Sequence, residues 1–304
     1  MVTEETNSPE NLNHDPLQSY QVAVIADIHG ILPSLKAVLR AMEDDPPDEI
    51  IVAGDFLGGP QPCAVLSVLR EQCCRFILGN GEVNMLKMRQ GTAPDAWWTH
   101  SQFDLGRWIY DQLDENIFKF LEQQPEQYVV QPDGTRPIRV VHGAPWDVNK
   151  LVFPDKEPDV LDRALDMVPE DVLVFAHTHL PDIIRRNGKL AVNPGSVSNN
   201  LNGDVRASYA SLRWDGEVWQ PAIHYVPYDL DEVISAFYQT GFLEAARPLT
   251  RAFLESILTG KNTALDYILF AFDQARAAGH GDLDVVPDDI WLAAEADFPW
   301  QLDF

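Results

Sequence analysis

From Gln21 onward, short apolar runs alternate along the chain with longer segments whose apolar residues recur at helical spacing. This alternation predicts β-strands joined by crossover helices, which is the pattern of an α/β fold. The runs are mostly apolar throughout, as is typical of strands buried on both faces. The core strands that we predict are residues 22–26, 50–53, 76–78, 138–141 and 172–176.

The segments between these strands predict helices that cover the sheet. Residues 34–42 carry apolar side chains at helical spacing, and Pro33 stands near the start, where proline is tolerated. A second helix is expected to begin near Pro62. We interpret residues 91–124 as an insertion that contains helical sequence from 102 to 121.

The later part of the chain has a different pattern. Two strand-like segments, 207–214 and 217–226, flank Asp215 and Gly216, a pair typical of a β-hairpin. A second sheet, antiparallel in part, is therefore expected, which adds α+β character. After Asp229 the apolar spacing becomes helical again.

These patterns divide the chain into three parts. Residues 1–19 are acidic, without a basic or apolar stretch, and predict a disordered tail rather than a signal peptide. Residues 20–228 are expected to form the main domain, and 229–304 a helical appendage with an acidic tail. From Gly281 onward this tail has seven acidic residues and no Lys or Arg, which is compatible with a docked tail, a partner-bound tail or a flexible end.

Charge and cysteine content narrow the function classes. The formal net charge of -25 disfavours binding to nucleic acid polymers and anionic lipid, since both depend on Lys and Arg. No apolar run approaches the ~20 residues of a membrane-spanning helix. The three cysteines form no CxxC pair, so a reduced, cytoplasmic protein is expected. Oligomeric state stays open.

Each predicted core strand runs directly into side chains that can bind metal ions. Singly, an Asp or His after a strand is more typical of a helix cap or a turn. Five such clusters in sequence order indicate one site, because the carboxyl ends of strands are where open α/β sheets place ligands. The clusters contain Asp27 and His29, Asp55, Asn80 and Glu82, His142, and His177 and His179.

This set of residues suits the hydrolysis of a phosphate ester. Such a reaction needs an activated water and neutralisation of the phosphate oxygens, and two neighbouring cations can supply both. A single structural zinc site is disfavoured, since such sites prefer four Cys or His ligands and this set is larger and contains Asp and Asn oxygens.

The order and spacing of these clusters resemble the calcineurin-like metallophosphoesterase family, whose pattern is DxH, GD, GNH(E/D), a later H, and GHxH. The run Asn193-Pro194-Gly195-Ser196 is similar to a turn of the small bacterial branch. The resemblance covers about residues 21–226. It implies a four-layer sandwich in which two mixed β-sheets are flanked by helices, here with an appended helical C-terminal segment.

The resemblance also implies roles for individual residues. Asp27, His29 and His179 would hold the first metal. Asn80, His142 and His177 would hold the second, with Asp55 bridging the two ions. Asp55, Asn80 and His142 would take part in catalysis. Mn is favoured by the resemblance, and mixed N and O ligands also suit Fe, Zn, Co or Ni.

Three further residues are candidates for supporting the site from behind the ligands. Glu82 keeps the acidic position of its motif, where it can accept hydrogen bonds at the start of a helix. Asn193 and Ser196 can support the ligands, although a plain turn after a strand explains them equally well.

The chain departs from the family pattern at two positions. Ala176 replaces the first Gly of GHxH, a change of little consequence. Gly81 replaces the His of GNH, which in the family is thought to protonate the leaving group or to orient the phosphate. A general acid typically accelerates the reaction by about 10²- to 10⁴-fold. Since Gly81 cannot protonate a leaving group, we expect esters with good leaving groups to be favoured.

The function predicted from the sequence is a metal-dependent phosphoric ester hydrolase. Its substrate is expected to be a small phosphate ester or a nucleotide, with a phosphodiester ahead of a phosphomonoester. One alternative is a phosphomonoesterase or protein phosphatase. Another is a non-catalytic metal-binding scaffold with the same fold.

Overall fold

Two five-stranded mixed sheets form the centre of the computed structural model, which describes residues 19–303. The tail predicted at residues 1–19 lies outside the described residues except for Ser19. The strands are β1 Tyr20–Ile25, β2 Glu49–Ala53, β3 Arg75–Ile77, β4 Gln127–Val130, β5 Ile138–Val141, β6 Val172–Val174, β7 Asp182–Arg186, β8 Lys189–Asn193, β9 Ala207–Trp214 and β10 Trp219–Val226.

The first sheet has the order β10-β9-β1-β2-β3, and the second has the order β4-β5-β6-β8-β7. In the first, β1, β2 and β3 run parallel, while β9 pairs antiparallel with both β1 and β10. In the second, β5, β6 and β8 run parallel, and the edge strands β4 and β7 are antiparallel. The prediction of two mixed sheets is confirmed, but the hairpin was expected in a second sheet and instead joins the first, because β9 pairs with β1. The predicted core strands β5 and β6 belong to the second sheet.

Helices cover the outer faces of both sheets. Prolines at the first or second helical position start α1, α2 and α7, where no backbone N–H is needed. The helices are α1 Leu32–Ala41, α2 Pro62–Glu71, α3 Asn80–Arg89, α4 Ala96–Thr99, α5 Asp104–Gln112, α6 Glu115–Leu121, α7 Pro158–Met167, α8 Leu230–Gln239, α9 Phe242–Ala245, α10 Leu249–Thr259, α11 Thr263–Ala277 and α12 Asp288–Asp297, with a 3₁₀ turn at Ser101–Phe103.

The burial of β1 explains the four layers. Val22 and Val24 point into a core between the two sheets, which also contains Val140 and Val174 of the second sheet. The alternate residues Ala23 and Ile25 point to the other face and join the core under the helices. Because successive side chains of a strand alternate between faces, β1 is buried on both sides.

The hairpin between β9 and β10 has a longer loop than predicted, since β10 begins at Trp219. The carboxylate of Asp215 accepts the backbone N–H groups of Glu217 and Val218, each at 2.9 Å. These side-chain hydrogen bonds close the turn over residues 215–218, so the ladder starts two residues later than expected.

The acidic C-terminal segment is docked on its own chain. Trp291 of α12 is buried at 1% exposure beside Tyr267 of α11, whose hydroxyl donates to the Trp291 carbonyl. Asp288 accepts the backbone N–H of Ser101 at 2.8 Å, which ties α12 to the insertion. Between residues 19 and 303, no helix is long and apolar enough to cross a membrane.

Candidate metal centre

The loops that follow β1, β2, β3, β5 and β6 bring all seven predicted ligands to one end of the sandwich. Five of them have a left-handed backbone, with φ between 47° and 69°. Non-glycine residues adopt this conformation at a cost of roughly 1–3 kcal/mol, and such residues concentrate at functional sites. Among the described residues, only two other non-glycine positions share it. The five are Asp27, His29, Asp55, His177 and His179.

Asp27, His29 and His179 form the first group of metal-competent side chains, which we call the first group. Asp27 Oδ1 lies 3.3 Å from His179 Nε2 and 3.9 Å from His29 Nε2. The two Nε2 atoms are 3.1 Å apart. Although it is buried, Asp27 Oδ1 has no hydrogen-bond partner. An orphaned carboxylate oxygen beside two imidazole nitrogens fits a divalent cation.

Asp55, His142 and His177 form the second group, and Asn80 lies beside it. His142 Nε2 is 3.0 Å from Asn80 Oδ1 and 3.6 Å from Asp55 Oδ2. The rings of His142 and His177 have centroids 4.8 Å apart. These side chains come from the loops after β2, β5 and β6 and from the start of α3, which are far apart in the sequence and meet only in the fold.

The imidazoles are oriented by backbone carbonyl groups. His179 Nδ1 lies 2.8 Å from the Asn199 oxygen, and His142 Nδ1 lies 2.9 Å from the Ala53 oxygen. Since a carbonyl can only accept, Nδ1 carries the proton in the neutral ring, and the Nε2 lone pair faces the group. In His177 the roles of the two ring nitrogens are reversed. Nε2 lies 3.2 Å from the Asn149 carbonyl oxygen and carries the proton, so the lone pair of Nδ1 is free to bind a cation.

Glu82 supports the second group from behind. Its buried carboxylate accepts the backbone N–H groups of Asp55 and Leu57 at 2.8 Å and of Gly79 at 2.9 Å. These bonds hold the loop after β2 against the start of α3. Burial and the neighbouring Asp55 raise the pKa of Glu82 to about 7, although the backbone donors favour its charged form.

Gly79 and Gly81 make room for the Asp55 side chain. A Cβ atom at Gly79 would lie 2.1 Å from Asp55 Oδ1, so this position accepts only glycine. At Gly81 the corresponding distance is 3.0 Å, which is tight but open to a small adjustment. The backbone N–H of Gly81 donates to Asp55 Oδ1 at 2.8 Å, and this contact fixes one oxygen of the carboxylate.

Asn193 and Ser196 contact the backbone of the ligand loops. Asn193 Nδ2 donates to Thr178 Oγ1 at 2.9 Å, between His177 and His179. Ser196 Oγ donates to the carbonyl oxygen of Asp27 at 2.6 Å. The turn that contains both residues thus touches two ligand loops, and its role in the chemistry stays a prediction.

Sequence reasoning missed two residues that help to place the first group. Asn199 orients His179 through its backbone carbonyl, a contact that any residue type could make, so the sequence holds no signal for it. Ser198 Oγ adds a second donor to the Asp27 carbonyl at 3.2 Å. Its proximity to Ser196 in the turn was the only available signal.

One imidazole in each group has a raised pKa when no cation is present. Burial disfavours the charged form of His142 and so lowers its pKa, but the effect of the neighbouring Asp55 carboxylate is larger and raises the pKa of His142 to about 10. Burial similarly opposes charge on His179, and Asp27 outweighs it, so the His179 pKa is raised. In contrast, burial and the neighbouring His179 lower the pKa of His29 to about 4. Divalent cations would therefore displace protons from His142 and His179.

The same imidazoles hold both carboxylates in the charged form. For Asp27, burial acts to raise the pKa, but the nearby His179 outweighs it and keeps the pKa below its ordinary value. For Asp55, burial is outweighed by His142, and the pKa is again lowered. Two ionised carboxylates at neutral pH are the state that metal binding requires.

The sequence profile of the calcineurin-like phosphoesterase superfamily domain matches residues 20–217. The chain belongs to this family. The matched region contains all seven candidate ligands, and the family is metal-dependent, in keeping with the two Asp/His groups.

Two solved structures have the same fold and are matched by this chain over almost their whole length. One is a metallophosphoesterase from Sphaerobacter thermophilus, 22% identical, with a TM-score of 0.61, covering 79% of this chain and 99% of that one. Another is a hypothetical protein from Pyrococcus horikoshii OT3, 18% identical, with a TM-score of 0.65, covering 77% and 97%. At these identities the likeness establishes the fold.

Proposed function

We propose that this chain is a phosphoric ester hydrolase that uses two divalent cations, one at each Asp/His group. The observation that carries the proposal is the buried, unpartnered Asp27 Oδ1 next to the facing Nε2 atoms of His29 and His179. A second Asp/His group beside it supports a centre with two ions. Bound there, the cations would neutralise the phosphate oxygens and lower the pKa of the attacking water.

The chain's own residues hold and orient the reacting groups. Asp27, His29 and His179 would hold the first ion, and Asn80, His142 and His177 the second. Asp55 would bridge the two ions. Its Oδ1 is fixed by the Gly81 N–H, while its Oδ2 faces His142, so the two oxygens have different surroundings. The left-handed backbone of the ligand loops keeps these positions preformed.

Gly81 supports a preference for good leaving groups. It occupies the position where the family pattern has a His, and it offers a backbone N–H to Asp55 rather than an acidic proton to a leaving group. Phosphodiesters, nucleotides and aryl esters are therefore favoured over unactivated alkyl monoesters. Protein phosphatase activity is the weaker alternative.

The metal, partner and location assignments follow the same reasoning. The mixed imidazole and carboxylate donors suit Mn, which we favour, and also Fe, Zn, Co or Ni. The net charge of -25 supports small phosphate esters over nucleic acid polymers as substrates. The absence of any CxxC pair among the three cysteines supports a cytoplasmic protein.

The test is hydrolysis of bis(p-nitrophenyl) phosphate and p-nitrophenyl phosphate by protein stripped with a chelator and then reloaded with Mn. We expect turnover only with metal, faster for the diester, and its loss in Asp55→Asn. The control Asp166→Asn changes an exposed Asp of α7 and should keep full activity. Two bound ions without turnover of either ester would instead support a non-catalytic scaffold.

A further inference from the structure

Phe253 of α10 lies beside the first group. Its ring is edge-on to the ring of His29, with centroids 5.9 Å apart and planes at 80°. The Phe253 ring also packs against that of Phe237 in α8, with centroids 5.8 Å apart. The His29 side chain is 21% exposed.

Phe253 differs from the residues directly before and after it in α10, which are buried. Ala252 and Leu254 are buried at 0% exposure and Ile257 at 1%, and these residues face the protein interior. The ring of Phe253 is only half-buried. Phe253 thus packs partly on the core under the helices and partly against His29, a candidate metal ligand, and keeps some exposed surface.

The position of α10 relative to the first group is fixed at its C-terminal end. The backbone N–H of Gly203 donates to the Gly260 carbonyl at 2.9 Å, and a Cβ at Gly260 would lie 2.7 Å from the Gly203 carbonyl carbon. The loop that contains Gly203 also contacts His179, since Leu201 donates its N–H to the His179 carbonyl. The appended segment and the ligand loop are thus in close backbone contact.

We propose that Phe253 is a specificity-determining residue, whose ring forms an apolar wall for a planar aromatic group attached to the phosphate of the substrate. This inference rests on the proposed function, because it places the phosphate between the two metal groups. Aromatic rings pack in edge-to-face or offset arrangements at centroid separations of about 4.5–7 Å. A substrate ring on the open side of Phe253 can adopt such a contact while its phosphate reaches the centre.

The test separates recognition from reactivity by using ligands that have no leaving group. Binding of phenylphosphonate and methylphosphonate to the Mn-loaded protein is measured by calorimetry for wild type, Phe253→Ala and Phe253→Leu. The control is Phe270→Ala, which removes another half-buried Phe that packs on Phe298 in the same appended segment. Thermal unfolding and metal content are measured for every variant.

We expect wild type to bind phenylphosphonate more tightly than methylphosphonate. In Phe253→Ala the affinity for phenylphosphonate should fall by roughly 3- to 10-fold, while methylphosphonate binding and metal content stay unchanged. Phe253→Leu keeps an apolar side chain against Phe237, so it should fold as wild type and still lose part of the preference. Phe270→Ala should bind both ligands as wild type does.

Equal weakening of both ligands in Phe253→Leu, or no weakening at all, overturns the inference, as does a wild type that binds neither phosphonate or both alike. The proposed function fails separately. If wild type binds phenylphosphonate through Phe253 but hydrolyses no ester, the aromatic wall stands and the hydrolase does not. If esters are cleaved but the phosphonate preference is independent of Phe253, the hydrolase stands and the aromatic wall does not.

Discussion

The two metal groups are built from similar side chains but are supported by different parts of the molecule. The second group is held within the domain, where the buried Glu82 carboxylate accepts three backbone N–H groups from the loop after β2 and the start of α3. The first group depends on the turn of residues 193–203 and, through Gly203 and Phe253, on the appended α10. The difference implies that each group can be weakened separately.

The largest expected effect comes from removing the shared oxygen of the first group. Asp27→Ala deletes the carboxylate that both His29 and His179 face, so one ion should be lost and the other kept. Turnover should fall by more than about 100-fold, since loss of an outer partner alone costs 10- to 100-fold. Mass spectrometry of the intact, metal-loaded protein checks the stoichiometry. Loss of both ions would mean that the groups do not bind independently.

Glu82→Gln is expected to weaken the second group in the same way. The amide cannot accept all three N–H groups, and an unsatisfied buried donor costs about 1–3 kcal/mol of unfolding free energy. The affinity of the second ion should fall by about 10- to 100-fold, with the first ion retained. Urea unfolding and metal titration measure both effects. The exposed Glu122→Gln serves as the control, and equal behaviour of the two variants would count against the role of Glu82.

Proton release on metal binding sharpens the comparison further. Because the pKa of His142 is raised to about 10, its imidazole is protonated at neutral pH in the metal-free protein and must lose that proton to bind an ion. The apparent affinity of the second ion should therefore rise by up to about tenfold per pH unit between roughly pH 6 and 9. Calorimetry in buffers of different ionisation enthalpy counts the protons. An affinity that is flat over this range would contradict the assignment.

Gly260→Ala tests the dependence of the first group on the appended segment. Gly260 has φ of +68°, and a Cβ there would press into Gly203, whereas Gly279 has φ of +91° with nothing within 4 Å of a Cβ. Both variants strain the backbone, but only Gly260→Ala should displace the loop at His179. We expect about a tenfold loss of affinity for the first ion in Gly260→Ala alone. The same loss in Gly279→Ala would show a general effect of strain.

The apolar pattern predicted seven of the ten strands but missed β4, β7 and β8. The choice of ligands stays a prediction. Buried strands such as β1 and β5 are short and apolar, and the metal-competent residues stand directly after them, so spacing along the chain shows which side chains can meet. The hairpin loop was placed less well, because the Asp215 carboxylate closes a turn that the Asp-Gly pair alone does not reveal.

Other features had no signal in a single sequence. The left-handed backbone at Asp27, His29 and His179 follows from tertiary contacts, since positive φ is uncommon for every non-glycine residue, even for Asp and His, which adopt it more often than most. Contacts made through a carbonyl, such as that of Asn199 with His179, are independent of side-chain type. The approach of Phe253 to His29 joins residues 224 positions apart, which no local pattern predicts.

The most direct test of the binuclear centre is anomalous diffraction from crystals of the chelator-stripped protein soaked with Mn. The account predicts two peaks about 3.5–4 Å apart, one at Asp27, His29 and His179 and the other at Asn80, His142 and His177, with Asp55 between them. A single peak, or peaks away from these side chains, would contradict it.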